Sequence, residues 1–233
     1  MDVAERRVPL NRDRVLDAAV DLADRTGLEA LSMRNLAHEL GVVPMALYKH
    51  VANKDELLDG MLDRVIAWIT PARDTTARAP GSRTPDAPGL DWKIAVRERI
   101  LGARQALLLH PWAWRLIDSR TDPTPAMLAY LDSVVGIFLT GGFSVDQTHH
   151  IVHALGTRML GYTQDLFVDS QPTPPEVQKA MARAMADSYP NLATIAMAAA
   201  HDESSIVGAG CDDQFEFEFT LDLLLDGFER LPR

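Results

Sequence analysis

The chain has 233 residues, 47% apolar and 24% charged, which excludes a disordered or collagen-like polymer and leaves room for one or two folded units. No apolar run reaches the roughly 18 residues a bilayer span needs, Met1 to Arg7 lead into no signal-peptide core, and the single cysteine, Cys211, excludes an internal disulfide, so a cytoplasmic protein is expected. The net charge of −10 is uneven: residues from 145 onward hold 14 acids and 5 Lys/Arg, whereas residues 1–144 hold 19 acids and 18 bases, so a basic N-terminal face is still available.

Almost every periodic segment predicts helix. The first begins behind Asn11, an N-cap residue, places Val15, Ala18, Ala19, Leu22 and Ala23 on one face, and closes at Gly27. A second starts at Ser32, carries Leu36, Ala37 and Leu40, and stops at Gly41. A third opens near Pro44 and is predicted to run to about Val51. Asn53 to Glu56 has capping-box spacing and leads into a stripe of Leu58, Met61, Leu62, Val65, Ile66 and Ile69. Pro71 to Gly89 has prolines and no apolar period, as a linker would. Helices are then predicted from about Asp91 to His110, where Pro111 stops the pattern, from Pro123 and Pro125 to Gly141-Gly142, and behind the Ser144–Gln147 capping box to about Phe167. Thr173 to Glu176 is a further capping signal before an Ala/Met-rich stretch broken at Pro190. Phe215 to Phe219 alternate as a strand would, but Leu221, Leu224, Leu225 and Phe228 follow at helical spacing, and no second strand exists to pair with them; helix is predicted. The fold class is therefore all-α. It divides into a helix-turn-helix unit at 1–70 with a connecting helix at 53–70, a flexible linker at 71–90, and a second helical domain at 91–233.

Residues 32–50 carry the functional signal. In a helix-turn-helix the first helix braces against the DNA backbone and the second lies in the major groove. Leu36, Ala37, Leu40, Val42 and Leu47 supply the inward positions, leaving Met33, Arg34, Pro44, Met45, Ala46, Tyr48, Lys49 and His50 outward. Lys54 starts the next helix, where free N–H groups also favour a phosphate. Small apolar side chains such as Met45 and Ala46 suit thymine methyl groups.

Several of these residues carry a resemblance. Arg34, Leu36-Ala37, Leu40-Gly41-Val42, Leu47-Tyr48, His50 and Asn53-Lys54 before Leu57-Leu58 are similar to the DNA-binding region of the TetR family of transcriptional repressors. His110-Pro111-Trp112, Gly161-Tyr162 and Phe215-Glu216-Phe217 before Leu221 to Gly227 resemble its tetracycline-repressor-like subgroup. The resemblance implies a homodimer on palindromic double-stranded operator DNA. It also implies that Arg34 approaches a guanine or phosphate, that Pro44, Met45 and Ala46 face bases, and that Tyr48, Lys49, His50 and Lys54 hold the backbone.

The 140 or so residues beyond the first domain exceed what DNA reading requires. Helices at 145–168 and 212–230, with Leu155 and Leu224 among their apolar residues, are the expected dimer bundle. The others are expected to surround a small lipophilic or amphipathic effector, with His110, Trp112, Trp114, Tyr162 and Gln164 as candidate lining. His149, His150 and His153 have i, i+1, i+4 spacing, but no metal and no cofactor are expected. No Ser-His-Asp, Cys-His or phosphate-loop pattern occurs, so the chain is not expected to be an enzyme. The remaining alternative is a helical small-molecule-binding protein without DNA-binding activity.

Overall fold

The computed structural model describes residues 9–69, 92–161, 176–177, 180, 183–184, 186–199 and 213–232. These divide into two compact units, residues 1–142 and 143–233. No strand occurs among the described residues.

In the first unit the helix starts are set by local caps. α1 (Arg12–Thr26) begins where Asn11 Oδ1 accepts the Arg14 N–H at 2.8 Å. α2 (Met33–Glu39) begins where Ser32 Oγ accepts the Asn35 N–H at 3.1 Å. α3 covers only Pro44–Leu47, shorter than the sequence predicts. The Leu47 carbonyl accepts both the His50 and Val51 N–H groups, at 2.8 and 3.0 Å, which tightens the last turn and ends the helix. Tyr48, Lys49 and His50 consequently lie on a turn. α4 (Lys54–Ile69) is capped by Asn53 Oδ1, which accepts the Glu56 N–H at 2.8 Å. Glu56 reaches back to the Ala52 N–H at 2.7 Å, one residue earlier than an ordinary capping box.

α5 (Trp92–Leu109), α6 (Pro111–Ser119) and α7 (Pro125–Thr140) pack in the same unit. One apolar cluster runs from Val15, Ala19 and Leu22 through Leu36, Leu47, Leu57 and Met61 to Ala106, Trp112, Ala113 and Leu116. The helix-turn-helix core therefore continues into α5 and α6 without a break. Arg64 of α4 adds a polar staple, holding Asp17 of α1 at 2.7 and 2.9 Å. That hydrogen bond raises the guanidinium pKa above its ordinary value.

In the second unit, α8 (Val145–Gly161) starts with a reciprocal capping box. Ser144 Oγ accepts the Gln147 N–H at 3.1 Å, and Gln147 Oε1 accepts the Ser144 N–H at 2.9 Å. Pro190 opens α9 (Pro190–Ala199), as a first-turn proline can. The Thr173–Pro175 part of the third capping signal lies outside the described residues. α10 (Asp213–Glu229) takes in the strand-like Phe215–Phe219 as helix.

Gly141 shows how closely α5 meets the end of α7. Its φ of −71° suits any residue, but a Cβ there would stand 2.8 Å from Trp92 Cβ and 3.0 Å from its Cγ. Trp92 is buried and its ring lies 5.7 Å from that of Phe138. Gly141→Ala is expected to cost about 1–3 kcal/mol through overpacking. A melting temperature lower by several degrees would register it, and an unchanged one would contradict the packing described.

Candidate nucleic-acid interface

α2 and α3 are joined at Gly41, whose φ of 64° is left-handed and favours glycine. Leu36, Ala37 and Leu47 are buried beneath the pair. On the outer side Arg34, Pro44, Met45, Tyr48, Lys49 and Lys54 are exposed, while Ala46 and His50 are half-buried. The structure thus leaves six of the eight predicted reading residues exposed, on α2, on α3 and the turn after it, and at the start of α4. It also adds Val43, which the sequence reading left unassigned. Val43 precedes Pro44 in extended backbone, caps α3 without a side-chain bond, and is 68% exposed.

The charges on these segments behave differently from those elsewhere in the unit. Arg12 pairs with Glu56, Arg25 with Glu39, Arg115 with Glu29 and Arg120 with Asp59, at 2.6–3.5 Å. Arg34, Lys49 and Lys54 make no ion pair or hydrogen bond within the described residues. These three side chains instead remain exposed and unpaired, on α2, after α3 and at the start of α4.

Two candidate effector residues lie elsewhere in the unit, at a buried joint. His110, the residue before α6, is 7% exposed, and Trp112 is 5% exposed. The Trp112 indole N–H donates to Asp24 Oδ1 at 2.6 Å. His110 Nδ1 stands 2.8 Å from the same oxygen and 3.0 Å from Oδ2. Trp68 of α4 brings its ring to 5.0 Å from that of His110. One carboxylate of α1 is therefore clamped by the start of α6, with α4 against the same histidine. Asp24 is a residue the sequence reading missed, because its partners stand 86 and 88 positions away. Trp114 is half-buried on α6, and Tyr162 and Gln164 lie outside the described residues.

Other candidate features are more ordinary. A cleft of about 450 Å³ is lined by Asp59 and residues 119–125. Its charged and hydroxyl lining, with Arg120 held 2.6 Å from Asp59, does not suit a lipophilic molecule. On α8 the His149 and His153 rings lie 4.6 Å apart, and His150 stands 3.8 Å from Asp146; all three histidines are exposed. Among the described residues, no group of three or more His, Cys, Asp or Glu is arranged to hold a metal ion. No helix of the described residues is long and apolar enough to cross a membrane.

Residues 15–61 match the bacterial regulatory proteins of the tetR family, and residues 84–231 match the Tetracyclin repressor-like C-terminal domain. The chain belongs to the tetR family. One tetR-family relative, the HTH-type transcriptional repressor DrrR1 of Streptomyces coeruleorubidus, is 36% identical over 138 residues. That match covers 58% of this chain and 46% of the relative, so it spans about half of that protein. The tetracycline repressor protein class G of Vibrio anguillarum is 26% identical over 227 residues, 95% of each chain. Among solved structures, the tetR-family protein ActR of Streptomyces coelicolor in complex with (S)-DNPA aligns with a TM-score of 0.68 and 25% identity. The alignment covers 95% of this chain and 98% of ActR.

Proposed function

We propose that the chain is a ligand-responsive transcriptional repressor that binds a palindromic operator as a homodimer. Residues 1–70 read DNA, 71–90 link, and 91–233 bind the effector and form the dimer. The observation that carries this reading is the set of Arg34, Lys49 and Lys54, exposed and unpaired on α2, after α3 and at the start of α4. A small-molecule binder that never met DNA would have no use for such a set. The protein then acts in the cytoplasm, where its operator is.

The effector is a small lipophilic or amphipathic molecule, by analogy with the solved complex of ActR with (S)-DNPA. Trp114, Tyr162 and Gln164 remain its candidate lining. His110 and Trp112, whose polar atoms are engaged by Asp24, act in this reading as the relay. A shift at the start of α6 is passed by Asp24 to α1 and by Trp68 to α4, and so to the reading helices. A coupling of about 1–3 kcal/mol is typical of such a switch.

Salt titration tests the DNA half. Cations that neutralise phosphates release counterions, so log Kd should rise linearly with log salt. Lys54→Ala should make that slope shallower by about 2 per dimer and weaken all sequences alike. Arg34→Ala should cost about 1–3 kcal/mol and relax preference at one position per half-site. Binding that ignores salt, or uniform loss for both variants, would remove the roles given to these residues.

A further inference from the structure

The reading helix presents an unusually apolar tip. Val43 and Met45, at 68% and 71%, are the two most exposed large apolar side chains described in the first unit. From Gly41 to Tyr48 the sequence is Gly-Val-Val-Pro-Met-Ala-Leu-Tyr, without Asn, Gln, Arg, Lys, Asp, Glu, Ser or Thr. Guanine and adenine are read in the major groove by bidentate donors and acceptors of those types. This segment has none, and Pro44 also lacks the backbone N–H that another residue would offer there. The one apolar feature on a major-groove base edge is the 5-methyl group of thymine.

We propose that Val43 and Met45 set operator specificity by packing on thymine 5-methyl groups, so that each half-site is chosen for where it carries thymines. The inference rests on reading α2 and α3 as a major-groove helix-turn-helix. The occupant is fixed by charge as well as by shape. An apolar tip with the unpaired cations Arg34, Lys49 and Lys54 on the adjoining segments suits a polyanion whose groove exposes methyl groups. In this division of labour Lys49 and Lys54 hold phosphates and set register, Arg34 reads one position, and the two side chains of the tip select the thymines. Val43 stands in extended backbone just before α3 and Met45 in its first turn.

The experiment uses the full-length protein and a random double-stranded library. Sites retained at moderate salt are sequenced, and the best is resynthesised with deoxyuridine replacing thymine one position at a time. Deoxyuridine keeps the base pair and deletes only the methyl. Half-sites should share thymines at two or more positions, each costing about fourfold in Kd when demethylated, as expected for one buried methyl. Demethylating two positions in both half-sites should cost on the order of a hundredfold. Val43→Ala and Met45→Ala, both at exposed positions, should fold normally and bind thymine and deoxyuridine sites more nearly alike. Retention of specific sites that bind equally well with and without thymine methyls would overturn this inference while leaving DNA reading intact. Failure to retain any DNA, even at low salt, would overturn the DNA reading and this inference with it.

Discussion

Replacing Asp24 with alanine should lower folding stability by about 3 kcal/mol, although the residue lies outside the predicted DNA-reading set. Asp24 Oδ1 accepts the indole N–H of Trp112 at 2.6 Å, and both carboxylate oxygens lie within 3.0 Å of His110 Nδ1. Both donors are buried, and a hydrogen bond to a charged acceptor contributes about 1.5–3 kcal/mol. Alanine removes the acceptor and leaves two buried donors without it, which costs more than the bonds themselves. Asp24→Asn keeps one carbonyl oxygen, so it should fall between alanine and wild type. Urea unfolding with an unchanged m-value would give the three stabilities. An alanine variant within about 0.5 kcal/mol of wild type, the range of ordinary surface substitutions, would mean the clamp does not hold the helices together.

Asp24 also shows where the sequence stops being legible. Asn11, Ser32, Asn53 and Ser144 announce their helices because a cap is a bond across three residues, written in neighbouring letters. The outward faces of α2 and α3 follow from helical spacing in the same way. The early end of α3 does not, since the tight turn at Leu47 depends on how residues 48–51 settle on the core. The Asp24 clamp is less legible still. Two residues singled out as pocket lining, His110 and Trp112, have the aromatic and polar mixture of a binding site, and the structure turns both toward a distant carboxylate. Composition can suggest that such residues meet a polar group, but the pairing across 86 residues comes only from the packed fold.

The Phe215–Phe219 alternation, strand-like in the sequence but predicted and found as helix, acquires a different meaning there. Residues two apart on a helix point about 200° apart. Phe217, Leu221 and Leu225 therefore form one stripe, and all three are buried. Phe215, Phe219 and Leu223 form the opposite stripe, exposed at 41%, 52% and 57%, with the two phenylalanine rings stacked 6.1 Å apart. Among the described residues the inner stripe is buried, while Phe219 and Leu223 keep about half of their surface exposed. α8, by contrast, turns Asp146, His149, His150 and His153 outward, and its Leu155 is buried in the protomer. Within the described residues, the apolar part of the proposed dimer contact is thus carried by α10.

Phe219→Glu and Leu223→Glu should consequently yield monomers that remain folded. Each places a carboxylate in the contact, and a two-fold axis doubles it, so the associated state must bury two charges without partners. The isolated protomer loses little, because both side chains are already exposed. Far-ultraviolet circular dichroism should stay helical while sedimentation moves to the monomer mass. Operator affinity should fall by about 10²–10⁴, since the second half-site is no longer tethered to the first. Leu221→Glu supplies the contrast: Leu221 is fully buried in the protomer, so that variant should unfold the second unit instead of dissociating it. A Phe219→Glu protein that still sediments as a dimer and binds the operator as wild type would show that the outer stripe of α10 serves another purpose, and a wild-type chain monomeric at micromolar concentration would remove the dimer altogether.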